Sequence, residues 1–183
     1  MNSLKNFNFK DKRVLVRCDF NVPIKEGKIL DDFKIQKALD TITYLKRNGA
    51  KIILCSHLEK YSLIILQKRL EELLKEQVKF SKKVIGRKVE KKAKKLKPGE
   101  ILLLENLRFE KGEEKNDEKF AKALAKLAEV YVNEAFPTCH RNHASVVSLP
   151  KLLPSYAGLN LEKEIEVLTD LSQSPVRPLV VII

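Results

Sequence analysis

Short apolar runs separated by helical patterns constrain this chain more than any other feature. RVLVRC (13–18), KIILC (51–55), ILLLE (101–105) and VYVN (130–133) are rich in Val, Ile and Leu. QVKF (77–80) is a weaker fifth run, and LVVII (179–183) is a sixth. Between them lie residues at helical spacing: Ile35, Ala38, Leu39, Ile42 and Leu45, with Gly49 as a stop. Ser62 can cap a helix carrying Leu66, Leu70, Leu73 and Leu74. Asn116, followed by Asp117 and Glu118, opens another through Phe120, Leu124 and Leu127, and Pro98-Gly99 punctuates the approach to 101–105. Continuous apolar strands alternating with helices are the pattern of a parallel sheet covered on both faces. The expected fold class is therefore α/β: a three-layer αβα, Rossmann-like, mostly parallel sheet of about six strands.

Composition narrows the function. A chain of 183 residues, 44% hydrophobic and 33% charged, has the size and balance of one globular domain. No apolar run approaches the ~18 residues that span a bilayer, and MNSLKNFNFKDKR lacks the apolar stretch of a secretory signal, so no membrane partner is expected. Cys18, Cys55 and Cys139 are an odd, widely spaced set that gives no disulfide framework; the reducing cytoplasm is the expected compartment. The net charge of +12 favours anionic partners. Much of it lies in SKKVIGRKVEKKAKKLK (81–97), which reads as a helix with Val84, Val89, Ala93 and Leu96 on a partial apolar stripe. A solvated lysine face explains that segment. Nucleic acid is not the expected partner, because no aromatic residue interleaves the lysines for base stacking.

The residues just beyond each strand are more informative. Asp19 and Asn21 come after the first run, Ser56-His57 after the second, and Asn106-Leu107-Arg108 after the third; AFPTCHRNHAS (135–145) comes after the fourth. In open parallel sheets ligands bind outside the carboxyl ends of the strands, so these segments would deliver Asn, His and Arg side chains to a single edge. That chemistry suits phosphate or carboxylate. The 135–145 stretch allows other readings. Cys139, His140 and His143 could hold zinc with His57 or Cys55, although C-H-x-x-H matches no usual structural zinc spacing. A Cys139–His140 catalytic pair lacks an orienting acid. Histidines satisfied by backbone carbonyls, and anion binding by Arg141 with histidine support, complete the alternatives.

VLVRCDFNVP, LDDFKIQKALDTITYL, GAKIILCSHL, LLLENLRFEKGEEKND and VYVNEAFPTCHRNHAS each resemble signatures of the phosphoglycerate kinase family, as does the tail EKEIEVLTDLSQSPVRPLVVII. The resemblance covers nearly the whole chain, in order. It implies residues 1–172 as the substrate-binding N-terminal domain, with 173–183 an interdomain linker and the first strand of a nucleotide-binding domain. It further implies 3-phosphoglycerate or 1,3-bisphosphoglycerate as partner, no metal or cofactor in this chain, and Mg-ATP/ADP on a separate C-terminal domain. By motif, Asp19 and Asn21 contact the glycerate end; His57, Arg108 and Arg141 form the basic patch around the phosphate, with His140 and Arg17 nearby.

Departures from the family pattern bear on activity. Lys34 stands where the family has a catalytic arginine, keeping the charge but losing the bidentate fork. SHLEKYSL omits the Gly-Arg-Pro and loop that normally precede KYSL, and Lys60 aligns with the lysine of that KYSL. Pro137 replaces a glycine and removes a backbone donor. The chain alone is expected to show no kinase turnover, and a non-catalytic anion- or nucleic-acid-binding domain is the alternative.

Overall fold

A computed structural model describes residues 2–180. Seven parallel strands form the central sheet: β1 (Asn2–Ser3), β2 (Arg13–Arg17), β5 (Lys51–Cys55), β6 (Val78–Phe80), β7 (Ile101–Leu103), β8 (Val130–Asn133) and β9 (Ser155–Ala157), ordered β1-β9-β8-β2-β5-β7-β6. β3 (Ile24–Lys25) and β4 (Lys28–Ile29) make a separate antiparallel hairpin. The helices are α1 (Phe33–Arg47), α2 (Ile64–Leu74), α3 (Arg87–Lys94), α4 (Lys111–Glu114), α5 (Glu118–Ala125) and α6 (Leu159–Gln173).

The strand residues divide by pleat. Val14, Val16, Ile52, Leu54, Ile101, Leu103, Val130 and Val132 join Ile35, Ile42, Leu66 and Leu70 of α1 and α2 in one core. Leu15, Ile53, Leu102 and Tyr131 point the other way and meet Val89 and Ala93 of α3 and Phe120 and Leu124 of α5. Two cores on opposite faces make the three layers, which is why the strands read as continuous apolar runs. The fold expected from sequence is the fold present.

Boundaries differ in instructive ways. The lysine-rich helix is confined to Arg87–Lys94; Val84 and Leu96 are buried all the same, from the irregular segments flanking it. Asp117, not Asn116, caps α5, its carboxylate accepting the Phe120 N–H at 2.7 Å, while Asn116 turns the chain at φ 50°. Leu63 occupies the cap position of α2, and the Ser62 hydroxyl accepts from the Ile64 N–H at 3.2 Å. In the expected sixth strand, Leu179 and Val180 carry no strand pairing and residues 181–183 lie outside the described residues. Among the described residues no helix is long and apolar enough to cross a membrane.

Candidate active site

The carboxyl ends of β2, β5, β7 and β8 lie side by side in the sheet, and the loops leaving them interlock. The Phe20 N–H donates to Ser56 Oγ at 2.9 Å, and Ser56 Oγ donates to Cys18 O at 2.8 Å. Asn21 Oδ1 accepts from the Glu59 N–H at 3.2 Å. Asn106 Nδ2 donates to Leu58 O, Glu59 O and Tyr61 O at 3.0, 3.3 and 2.8 Å, closing the SHLEKYSL segment. Glu105 finishes that closure, accepting from Ser62 Oγ at 2.7 Å and the Leu63 N–H at 2.9 Å.

His57 sits at the centre, only 4% exposed. Burial, then the charges of Arg17, Arg108, Arg141 and His143, hold its pKa down to about 3. Arginines from three separate segments thus surround one imidazole. His143 is also pushed down, mainly by burial, and its Nδ1 lies 3.9 Å from Glu113 Oε1. Arg108 rides a short 3₁₀ turn, Leu107–Phe109, capped by Asn106, and its Nε lies 3.1 Å from Glu114 Oε1 off the line of a hydrogen bond. Arg141 is half-buried; its Nε is shielded from solvent and has no hydrogen-bond partner among the described residues.

On the neighbouring side, Lys34 Nζ pairs with Asp19 Oδ2 at 2.9 Å. These two residues line a cleft of about 170 Å³ with Pro137, Glu134, Asn160 and Glu164. Pro137 lies within the 3₁₀ turn Phe136–Thr138, at a first-turn position where a missing N–H costs little, so the loop accommodates the proline. Glu134 is buried with its carboxyl pushed up to about 7 by burial, against hydrogen bonds that lower it; Oε1 accepts from the Asn160 N–H at 3.0 Å.

Asp19, Asn21, Lys34, His57, Arg108 and Arg141 thus share one end of the sheet. The two residues expected nearby differ in depth. His140 is exposed and makes no hydrogen bond or ion pair among the described residues. Arg17 is 1% exposed and lies beneath the rim rather than on it. Strand-end reasoning does not reach Glu113 and Ser145, both buried, bonded to each other and joined to His57 through Arg17. Their only sequence cue is polarity inside the segments GEE and HAS, which surface residues share.

The other readings of 135–145 find no geometry here. Cys139 Sγ meets Asn133 Nδ2 at 3.4 Å rather than His140, and burial pushes its thiol up, away from thiolate. Among the described residues no cluster of His, Cys, Asp or Glu could hold a metal ion. Larger concavities, about 520 Å³ beside Phe109 and Phe120 and about 380 Å³ between α1 and α6, are lined by lysines beside carboxylates, with no arginine or histidine.

The family model for phosphoglycerate kinase matches residues 4–183. The chain belongs to the phosphoglycerate kinase family. It is 49% identical over 187 residues to the phosphoglycerate kinase of Coprothermobacter proteolyticus, covering 97% of this chain and 48% of that protein. It is 52% identical over 188 residues to that of Leptospira biflexa, covering 98% and 48%. Among solved structures, phosphoglycerate kinase from Pyrococcus horikoshii OT3 superposes with a TM-score of 0.92 at 37% identity, over 97% of this chain and 47% of that one. The Coxiella burnetii structure gives 0.86 at 33% identity, over 97% and 46%. The chain therefore spans about half the length of the phosphoglycerate kinases it matches.

Proposed function

We propose that this chain is the 3-phosphoglycerate-binding half of a phosphoglycerate kinase, serving the glycolytic transfer of a phosphoryl group between 1,3-bisphosphoglycerate and ADP. The observation that carries the reading is the gathering of Arg108, Arg141 and neutral His57 around one point, with Arg141 Nε unpaired among the described residues. A small metabolite with a phosphate and a carboxylate needs several donors, and arginine's planar fork suits both groups. In this reading Arg108, Arg141 and His57 take the phosphate, with His140 at the outer edge and Arg17 below. Asp19 and Asn21 take the glycerate end.

Lys34 stands at the catalytic position, where its ammonium would neutralise charge on the transferring group, and its pairing with Asp19 holds it at the rim. Lacking a fork, it grips that charge at fewer points than an arginine would. The donor set at this rim does not fit a magnesium nucleotide: Asp19 and Glu114 are already paired with Lys34 and Arg108. We assign Mg-ATP/ADP to the C-terminal half of the whole protein. Residues past Gln173, where α6 ends, are read as linker toward that half. Free cysteines, two of them buried, agree with a cytoplasmic setting.

Isothermal titration of the purified chain with 3-phosphoglycerate tests this function. Binding in the millimolar range or tighter, weakened about tenfold by Arg141→Ala, is the expected result. Heat-silent titration, backed by an absence of competition with phosphate, would refute it. A coupled assay should find no ATP formation by this chain alone, and turnover would contradict the division of labour.

A further inference from the structure

Beneath the anion rim runs a buried chain of polar groups. Glu113 Oε2 accepts the Ser145 N–H at 3.0 Å, and Glu113 Oε1 accepts the Ser145 hydroxyl at 2.5 Å. Ser145 Oγ, its proton given to Glu113, accepts from Arg17 Nε at 3.1 Å. Tyr131 Oη donates to Ser145 O at 2.7 Å, so Ser145 is fixed at its amide, carbonyl and hydroxyl. Arg17 Nη1 donates to Cys18 O, and Arg17 Nη2 meets His57 Nδ1 at 3.2 Å. Glu113 and Arg17 are each 1% exposed, Ser145 fully buried.

An arginine has five donors and no acceptor. Its contact with His57 Nδ1 therefore requires a lone pair on that nitrogen, which leaves the ring proton on Nε2. We propose that Glu113 and Ser145 are positioning residues for this site: by setting the Arg17 fork against His57 Nδ1, they hold the imidazole as the Nε2–H tautomer, a neutral donor for a bound anion. The inference rests on the anion-binding reading above for its use, but the tautomer itself is a property of the unliganded chain.

Electrostatics point the same way. The groups facing His57 are Arg17 from β2, Arg108 from the loop after β7, and Arg141 and His143 from the loop after β8, and all of them disfavour an imidazolium. Glu113 supplies the compensating negative charge for buried Arg17, with the Ser145 hydroxyl bridging the two. His57 thus adds a hydrogen bond without a charge. Anion affinity should follow ionisation of the ligand's own phosphate, whose second pKa is about 6, and not an imidazole titration.

Two-bond nitrogen–proton NMR of the histidine rings in the purified chain reads the tautomer directly. His57 should show a protonated Nε2 and an unprotonated Nδ1, unchanged across about pH 5 to 8. Ser145→Ala and Glu113→Gln should mix the tautomers or restore an ordinary imidazole titration, with 3-phosphoglycerate affinity falling about tenfold. A protonated Nδ1 in the unmutated chain, or a titration there near the ordinary imidazole value, overturns the inference whether or not either variant folds. Retention of the tautomer in both folded variants overturns the role of Glu113 and Ser145. A chain with the stated tautomer that ignores 3-phosphoglycerate refutes the anion-binding reading and leaves the positioning inference standing.

Discussion

Asn106 shows how one side chain can hold a loop closed. Its amide spans three backbone carbonyls of the segment that holds His57. Asn106→Ala takes the side-chain donor from Glu59 O and Tyr61 O, while Leu58 O keeps the Tyr61 N–H at 2.9 Å, and each buried unmet group costs about 1–3 kcal/mol. The expected outcome is a denaturant midpoint lowered by an amount equivalent to roughly 2 kcal/mol or more, with unchanged slope. Wild-type stability would show that water or backbone groups replace the amide. The strand-end residues are legible in sequence because a parallel sheet sends its carboxyl ends to one side whatever the loops contain. Glu113 and Ser145 are not, since they meet across 32 residues and only folding reveals the pairing.

The docking of α6 is decided at its first turn. The Leu159 N–H donates to Thr41 Oγ1 at 2.8 Å, the Gly158 N–H to Asn133 O at 2.7 Å, and the Asn160 N–H to Glu134. A Cβ on Gly158 would fall 1.5 Å from Glu134 Oε2. Gly158→Ala should therefore dislodge the Glu134 carboxylate or the helix start, lowering the thermal midpoint and raising amide exchange in α6. Glu134 carries a pH dependence of defined sign. Its folded pKa of about 7 lies above the ordinary carboxylate value, so folding favours the protonated form. Stability from this group is complete below about pH 4.5 and lost as pH rises to about 7 and beyond, on the order of 3 kcal/mol in all. Glu134→Gln should be more stable than the parent at pH 8 and lose that advantage by pH 4.5 in chemical denaturation; a difference independent of pH would contradict the assignment. The helix α6 leaves no readable stripe, because Leu161 is its one fully buried side chain. β1 and β9 escape for a related reason: two and three residues long, they sit at one edge of the sheet and lack an apolar run. Central strands and α1 are legible because burial on both faces, or on one helical face, writes itself into every residue.

Across the whole molecule, the apolar surface is uneven. Ile165, Val167, Leu168 and Leu171 of α6 are exposed, and Val176, Leu179 and Val180 come after them in the chain. So much exposed aliphatic surface in one stretch is uncommon on a monomer. Sedimentation velocity should show concentration-dependent association of this chain, abolished by Leu168→Glu with Leu171→Glu; a monomer at all concentrations would contradict it. The anion site depends on the opposite property, a cationic rim assembled from four separate loops. Amide chemical-shift mapping during titration with 3-phosphoglycerate tests that rim most directly. Asn21, His57, Arg108 and Arg141 should shift together and saturate with a single dissociation constant, which weakens as salt rises. Shifts confined to the lysine face of α3, or no shifts at millimolar ligand, would contradict it.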